Sequence, residues 1–219
     1  GNYDEAETLA NEVLAELEKI GESSDTVIAR QRDTTHCEAL ITLSIAKLRR
    51  GDYHEAHTLA RAALALAEEK NLPDETNAKA LGTIGIACQN LSDYPQALTY
   101  YQKSLAICEE IGSKDGIAIN LGNLGIVYQN QSDYPQALTY YQKALAIYEE
   151  IGRKNGIAIN LGNIGNVYLF LSDYPQALTY YQKALAIYEE IGSKNGIASN
   201  LGNIGVVYQS LSDDTQALT

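Results

Sequence analysis

Along most of the chain the apolar residues recur at helical spacing, not at the alternation of a strand. In residues 154–192, Leu161, Ile164, Gly165 and Tyr168 fall at i, i+3, i+4 and i+7, a single helical stripe. A second stripe runs through Ala177, Tyr181, Ala184, Leu185 and Tyr188. Between them, Asp173-Tyr174-Pro175-Gln176 reads as a helix start. Asp173 can accept from a first-turn N–H, Gln176 is placed to reach back, and Pro175 sits where its missing N–H removes no helical bond. Gly112, Gly152 and Gly192 each follow a helical run and suit a left-handed C-terminal cap. The pattern predicts two helices of roughly 18 residues, each ~27 Å long.

This pair is a repeating unit. Residues 121–160 and 161–200 align without a gap and differ at only seven positions. The run from Ser132 to Gly152 recurs unchanged from Ser172 to Gly192, and the run from Ser92 to Gly112 departs from it only at Ser104 and Cys108. Weaker copies begin at Gly51 and Gly1. The expected organisation is a single array: a partial unit 1–20, a linker 21–32, units 33–72, 73–112, 113–152 and 153–192, and a truncated unit 193–219. Gly165 should let the partner helix approach, Ala177 should return a small surface, and Tyr168 and Tyr181 should fill the space left over. A lone pair cannot bury both stripes, so units must stack into an all-α solenoid.

The constellation Leu161, Ile164, Gly165, Tyr168, Tyr174, Ala177, Tyr181 and Ala184 resembles the tetratricopeptide repeat family. The resemblance covers nearly the whole chain. Two features depart from the family pattern: Ser92, Ser132, Ser172 and Ser212 replace the common inter-helix Gly, which Gly1 and Gly51 keep, and the unit is 40 residues long. The longer unit is similar to arrays of bacterial signalling proteins and of eukaryotic polarity and motor adaptors. The resemblance implies a right-handed superhelix whose first helices line a concave surface, and it implies partner binding instead of catalysis. It also implies that the chain serves as the sensory, regulatory or scaffold region of a larger bacterial signalling protein, such as a nucleotide cyclase, a sensor kinase or a regulator.

Composition narrows the partner. The net charge is −12, with −7 in residues 1–80 and −5 in residues 81–219, and such a field disfavours nucleic acid and anionic membranes. No apolar run is long enough to span a bilayer. Three irregularly spaced Cys make no disulfide framework, which points to a reducing compartment, the cytoplasm. The absence of Met suggests a piece excised from a longer chain.

One stripe on each first helix lies outside the core set. It runs through Lys79, Thr83, Ile86 and Asn90; then Ile119, Asn123, Ile126 and Asn130; then Ile159, Asn163, Asn166 and Phe170; then Ser199, Asn203, Val206 and Ser210. Gln129, Leu169 and Gln209 lie beside it. Stacking would align these stripes as a groove for a protein or peptide. Asn amides donate and accept together, which suits an extended backbone. Asn123, Asn163 and Asn203 could equally bond neighbouring helices. Leu169 and Phe170 could anchor a partner or pack beneath the next helix. Of the seven differences between 121–160 and 161–200, the pairs 126/166, 130/170 and 159/199 fall on the stripe and 129/169 beside it, as groove diversification would produce.

Other motifs carry no chemistry. His54 and His57 share a helical face without a ligand set, and solvated surface is expected. Cys88 and Cys108 stand in slots of Tyr128 and Tyr148 and read as core replacements. Gly162 and Gly165 lie within a helix and make no phosphate loop. No metal, cofactor or catalytic set is called for. A second reading is a self-assembling scaffold: the face of Leu201, Ile204, Gly205 and Tyr208 could dock head-to-tail on Leu9, Val13, Leu14 and Leu17 of another copy.

Overall fold

A computed structural model describes residues 2–20 and 25–217. Among them are ten helices and no strand: α1 (Asn2–Ile20), α2 (Thr26–Arg50), α3 (Tyr53–Glu69), α4 (Asp74–Asn90), α5 (Tyr94–Glu110), α6 (Lys114–Asn130), α7 (Tyr134–Glu150), α8 (Lys154–Phe170), α9 (Tyr174–Glu190) and α10 (Lys194–Ala217). The chain is an all-α solenoid of helix pairs. It groups into two compact bodies, Gly1–Gly116 and Ile117–Thr219.

Two turn designs alternate, and both follow from local chemistry. The second helices α5, α7 and α9 each end on a glycine in the left-handed region, with φ of +68° at Gly112, +67° at Gly152 and +67° at Gly192, where α3 has Asn71 at +48°. Gly152 N–H donates to the Glu149 carbonyl at 3.2 Å and Arg153 N–H to the Tyr148 carbonyl at 2.9 Å, the paired bonds that close a helix C-terminus. The first helices α4, α6 and α8 end the same way on serine, with φ of 61°, 61° and 58° at Ser92, Ser132 and Ser172, whereas α2 ends on Gly51 at 89°. Ser172 N–H donates to the Leu169 carbonyl and Asp173 N–H to the Tyr168 carbonyl.

That closure corrects the expected helix start. Asp173 Oδ1 accepts from Gln176 N–H at 3.2 Å, but the Asp N–H is already committed to the preceding helix. The glutamine therefore cannot return to it. At the equivalent place Gln96 Nε2 donates instead to the Asp93 carboxylate at 2.7 Å.

In the first body the expected linker is shorter than residues 21–32. Residues 26–32 are helical, because Asp25 Oδ1 accepts from the N–H groups of Val27 at 2.8 Å and Ile28 at 3.2 Å and starts α2 early. α2 has 25 residues against 17 in α4, so much of the insertion before the second unit is absorbed as helix. One core cluster of this body is small and aliphatic, with Cys37, Ile41, Ala63, Ala67, Leu72 and Ala80 packed together, while between α4 and α5 the fully buried Tyr101 lies on Gly85. Cys37 donates to the Ala63 carbonyl and Ser44 to the Ala56 carbonyl. Cys88 and Cys108 are buried, in line with core replacement. Burial pushes the Cys88 thiol up to about 11, away from nucleophilic use.

In the second body the core is aromatic. Tyr141 packs with Ala137, Ile164 and Val167, and Tyr181 with Ala177 and Val207. A Cβ on Gly125 would stand 2.6 Å from the Tyr141 ring, and one on Gly165 2.7 Å from the Tyr181 ring. The ring of the second helix lies directly on the bare backbone of the first, the close approach expected of Gly165. Tyr168 is half-buried and stacks on Tyr180 at 5.4 Å.

α10 departs from the expected pattern. The repeat calls for a turn near Ser212, yet the helix runs on to Ala217. Earlier units follow this serine with Asp-Tyr-Pro; here the sequence reads Asp213-Asp214-Thr215. Without proline to start a new helix and without tyrosine to anchor it, continuing the existing hydrogen-bond ladder costs less than a serine in the left-handed region.

Candidate functional site

The first helices carry the candidate residues, and the structure divides these by what their side chains already hold. In the first body Asn90 Nδ2 donates to the Ile86 carbonyl of its own helix at 2.8 Å. Thr83, beside it, is buried and donates to the Lys79 carbonyl. That stretch of stripe is spent on itself.

The second body differs. Asn123 on α6 and Asn163 on α8 are half-buried and make no side-chain hydrogen bond among the described residues. Asn203 on α10 reaches Asn166 Oδ1 at 3.5 Å, a long contact that ties α10 to α8. Ile126 is half-buried against the Ala137–Tyr141 core, and Asn130 and Gln209 are exposed. Leu169 packs into the Tyr181 cluster, so of its two readings the packing one describes its contacts. Phe170 stays 57% exposed, and its ring stacks on Tyr134 of α7 at 5.9 Å and 11°.

Gln129 and Asn166 have a role that the stripe did not reveal. Tyr141 is fully buried, and its hydroxyl donates to Gln129 Oε1 at 3.0 Å. Tyr181 is equally buried, and its hydroxyl donates to Asn166 Oδ1 at 2.7 Å. Gln129 and Asn166 are not equivalent positions. Position 129 becomes Leu169 in the next unit, and Asn166 replaces Ile126. The exchange moves the acceptor one turn along the helix while keeping the hydroxyl satisfied. The signal was present in the sequence, since the two differences trade one polar and one apolar residue in opposite senses. Burial raises the pKa of both phenols, that of Tyr181 to about 12, so both remain neutral donors.

A second asparagine on each first helix had not been singled out. Asn160 and Asn200 are buried; Asn160 Nδ2 donates to the Gly156 carbonyl at 2.9 Å and Asn200 Nδ2 to the Gly196 carbonyl at 3.1 Å. Their side-chain oxygens face Gly122 and Gly162, so these glycines serve helix packing.

Elsewhere, His54 is exposed, and His57 is half-buried, with its pKa lowered by burial and by Arg61. Among the described residues no cluster of three or more His, Cys, Asp or Glu is placed to hold a metal. Among the same residues no helix is long and apolar enough to cross a membrane. At the chain's two outer helices, Leu17 is buried against its own body and Leu9 is exposed, whereas Leu201 and Tyr208 are both more than half exposed.

Stacked helix pairs with an uncharged, amide-bearing face define a class of protein: a helical solenoid built to present a surface. The tetratricopeptide repeat profile matches residues 76–150 and 156–219, and a second profile of the same description matches residues 37–74. The chain belongs to the tetratricopeptide repeat family.

Among curated protein sequences none matches. Solved structures share the fold at low identity. BtubC (BKLC) from P. vanneervenii superposes with a TM-score of 0.76 at 19% identity, over 99% of this chain and 87% of that one. The Rap conjugation gene regulator of plasmid pLS20, in complex with the Phr* peptide, gives 0.77 at 13%, over 97% of this chain and 59% of that one. The signal transduction ATPase with a tetratricopeptide repeat sensor from Pyrococcus horikoshii gives 0.68 at 20%, over 80% of this chain and 27% of that one. The chain thus spans little more than half of the plasmid regulator and about a quarter of the ATPase.

Proposed function

We propose that the chain is a non-catalytic interaction module that holds an extended peptide, or an extended segment of a protein, on the face of its first helices. The observation that carries this reading is the pair Asn123 and Asn163: half-buried amides on successive first helices whose donors and acceptors are not used by the fold. Each can take both the N–H and the C=O of a passing backbone. The remaining candidates, Ile126, Asn130, Phe170, Asn203 and Gln209, flank that row. The plasmid regulator bound to a peptide supports a peptide partner, and the ATPase whose repeats are called a sensor supports a sensory or regulatory role within a larger signalling protein.

The test is an affinity selection on the whole chain from a displayed library of random peptides of roughly nine residues, ~30 Å when extended. Selected peptides should bind Asn123→Ala/Asn163→Ala at least tenfold more weakly, which is about 1.4 kcal/mol, while circular dichroism stays unchanged. A loss of helicity would assign the two amides to the fold. Unchanged affinity would move the site off this face.

Head-to-tail self-association is the second reading, favoured by the exposure of Leu201 and Tyr208 on α10. Its fit is imperfect: α1 carries Ala10, as α3 carries Ala60, where α5, α7 and α9 carry the tyrosine that covers the glycine. Sedimentation over a wide concentration range decides it, a strict monomer removing this reading.

A further inference from the structure

The face that carries Asn123 and Asn163 is defined as much by what it lacks. The chain has 28 acidic and 16 basic residues, yet none falls between Gly116 and Ser132, between Asn155 and Ser172, or between Asn195 and Ser212. These stretches are nearly the whole of α6 and α8 and most of α10. The paired second helices take the charge instead, at Lys143, Glu149 and Glu150 and again at Lys183, Glu189 and Glu190. A charged side chain pressed onto the first helices would lose water and meet no counter-ion, a net cost. A bare backbone meets amides that can satisfy it.

One position breaks the polar run. Phe170 is the chain's only phenylalanine. The equivalent positions hold Asn90, Asn130 and Ser210, small and polar as an exposed helix end prefers. Phe170 nevertheless keeps 57% of its surface open. Tyr134 backs the ring by stacking on it, which fixes its orientation and leaves the rest of the ring available. Phe170 lies seven residues from Asn163 on α8, ~10 Å along the helix axis. Three extended residues cover that distance.

Resting on the peptide-binding reading above, we infer that residues 117–219 select an extended segment whose contact stretch has no charged side chain and which seats one aromatic or bulky aliphatic side chain on the Phe170–Tyr134 pair. The neutral face excludes charge, the amides hold the backbone, and the backed ring sets the register of the occupant.

The composition of the peptides selected from the random library tests this, with a parallel selection on Phe170→Asn. Asparagine stands in the equivalent position at 130, so this variant keeps the fold, and circular dichroism checks it. Peptides from the parent chain should be depleted of Asp, Glu, Lys and Arg across the contact stretch and should share Phe, Tyr, Trp or Leu at one position. Phe170→Asn should erase that shared position and weaken the parent's best peptides about tenfold. Peptides with charged contact stretches that still depend on Asn123 and Asn163 would overturn the inference and leave the peptide-binding reading standing, as would affinities untouched by Phe170→Asn. A library that yields no binders, or binders indifferent to Asn123→Ala/Asn163→Ala, would overturn that reading and the inference with it.

Discussion

The helix pairs α6–α7 and α8–α9 are nearly the same sequence folded twice, and they solve one problem in two ways. Each lays a buried tyrosine of the second helix across a glycine of the first, Tyr141 on Gly125 and Tyr181 on Gly165. Each must then satisfy a buried hydroxyl. The first pair uses Gln129 and the second Asn166. α4–α5 uses Gln89 for Tyr101, as α6–α7 does, so α8–α9 is the variant. The lesson concerns how differences between repeats are read. Two of the four that fall on or beside the outer stripe, 126/166 and 129/169, form one compensated exchange beneath the surface. The surface differences that remain are 130/170 and 159/199, where Asn130 becomes Phe170 and Ile159 becomes Ser199.

The largest effect should come from filling the shared glycine. Gly165→Ala and Gly125→Ala each put a methyl within contact of a fully buried ring that has no room to move. Each should cost about 1–3 kcal/mol in urea unfolding, despite the better helix propensity of alanine. Gly205 on α10 is the control: a Cβ there meets nothing within 4 Å. Gly205→Ala should be neutral or stabilising by up to about 1 kcal/mol. Equal costs at all three glycines would mean that the tyrosine rings do not set the helix spacing.

Next comes the acceptor exchange. Asn166→Ile strands the Tyr181 hydroxyl in the core and should cost about 1–3 kcal/mol. Adding Leu169→Gln recreates the arrangement of α6 and should recover most of it. In the first pair, Gln129→Leu should cost a similar amount and Ile126→Asn should recover it. With Leu169→Gln and Ile126→Asn also made alone, urea midpoints for the six variants form two cycles, and costs that merely add in either cycle would break the claim that the positions are coupled.

The fold was legible because its signals are local and repeated. Gly165, Ala177 and Tyr181 recur at fixed spacing, and the expected close packing is what the rings show. Three features were harder to read. The early start of α2 depends on a single cap at Asp25, which lay within an apparent linker. The run of α10 past Ser212 reflects which of two weak local preferences wins once proline and tyrosine are gone. At the candidate site, helical periodicity placed Gln129 and Asn166 on a common outer stripe or beside it. Periodicity gives the direction of a Cβ but not the reach of a side chain, and both side chains turn back to a tyrosine across the helix pair.

The smallest effect concerns the turns, where the two helix pairs agree with each other and differ within themselves. Second helices close on glycine at 152 and 192; first helices close on serine at 132 and 172, with nearly the same φ and the same paired bonds. A non-glycine residue in the left-handed region costs roughly 1–2 kcal/mol. Glycine removes that strain but gives back about 0.5–1 kcal/mol through the freedom of the unfolded chain. The net gain from Ser172→Gly should therefore be about 0.5–1 kcal/mol, and Ser132→Gly should match it. The two sites lie in separate turns, so the double variant should gain close to the sum. Gly152→Ser should lose a comparable amount, since it creates the strain that serine already bears elsewhere. Thermal unfolding monitored by circular dichroism reads all four. If Ser172→Gly lowers the melting temperature, the serine hydroxyls stabilise their turns by more than the left-handed backbone costs, and the two closures are different devices sharing one geometry.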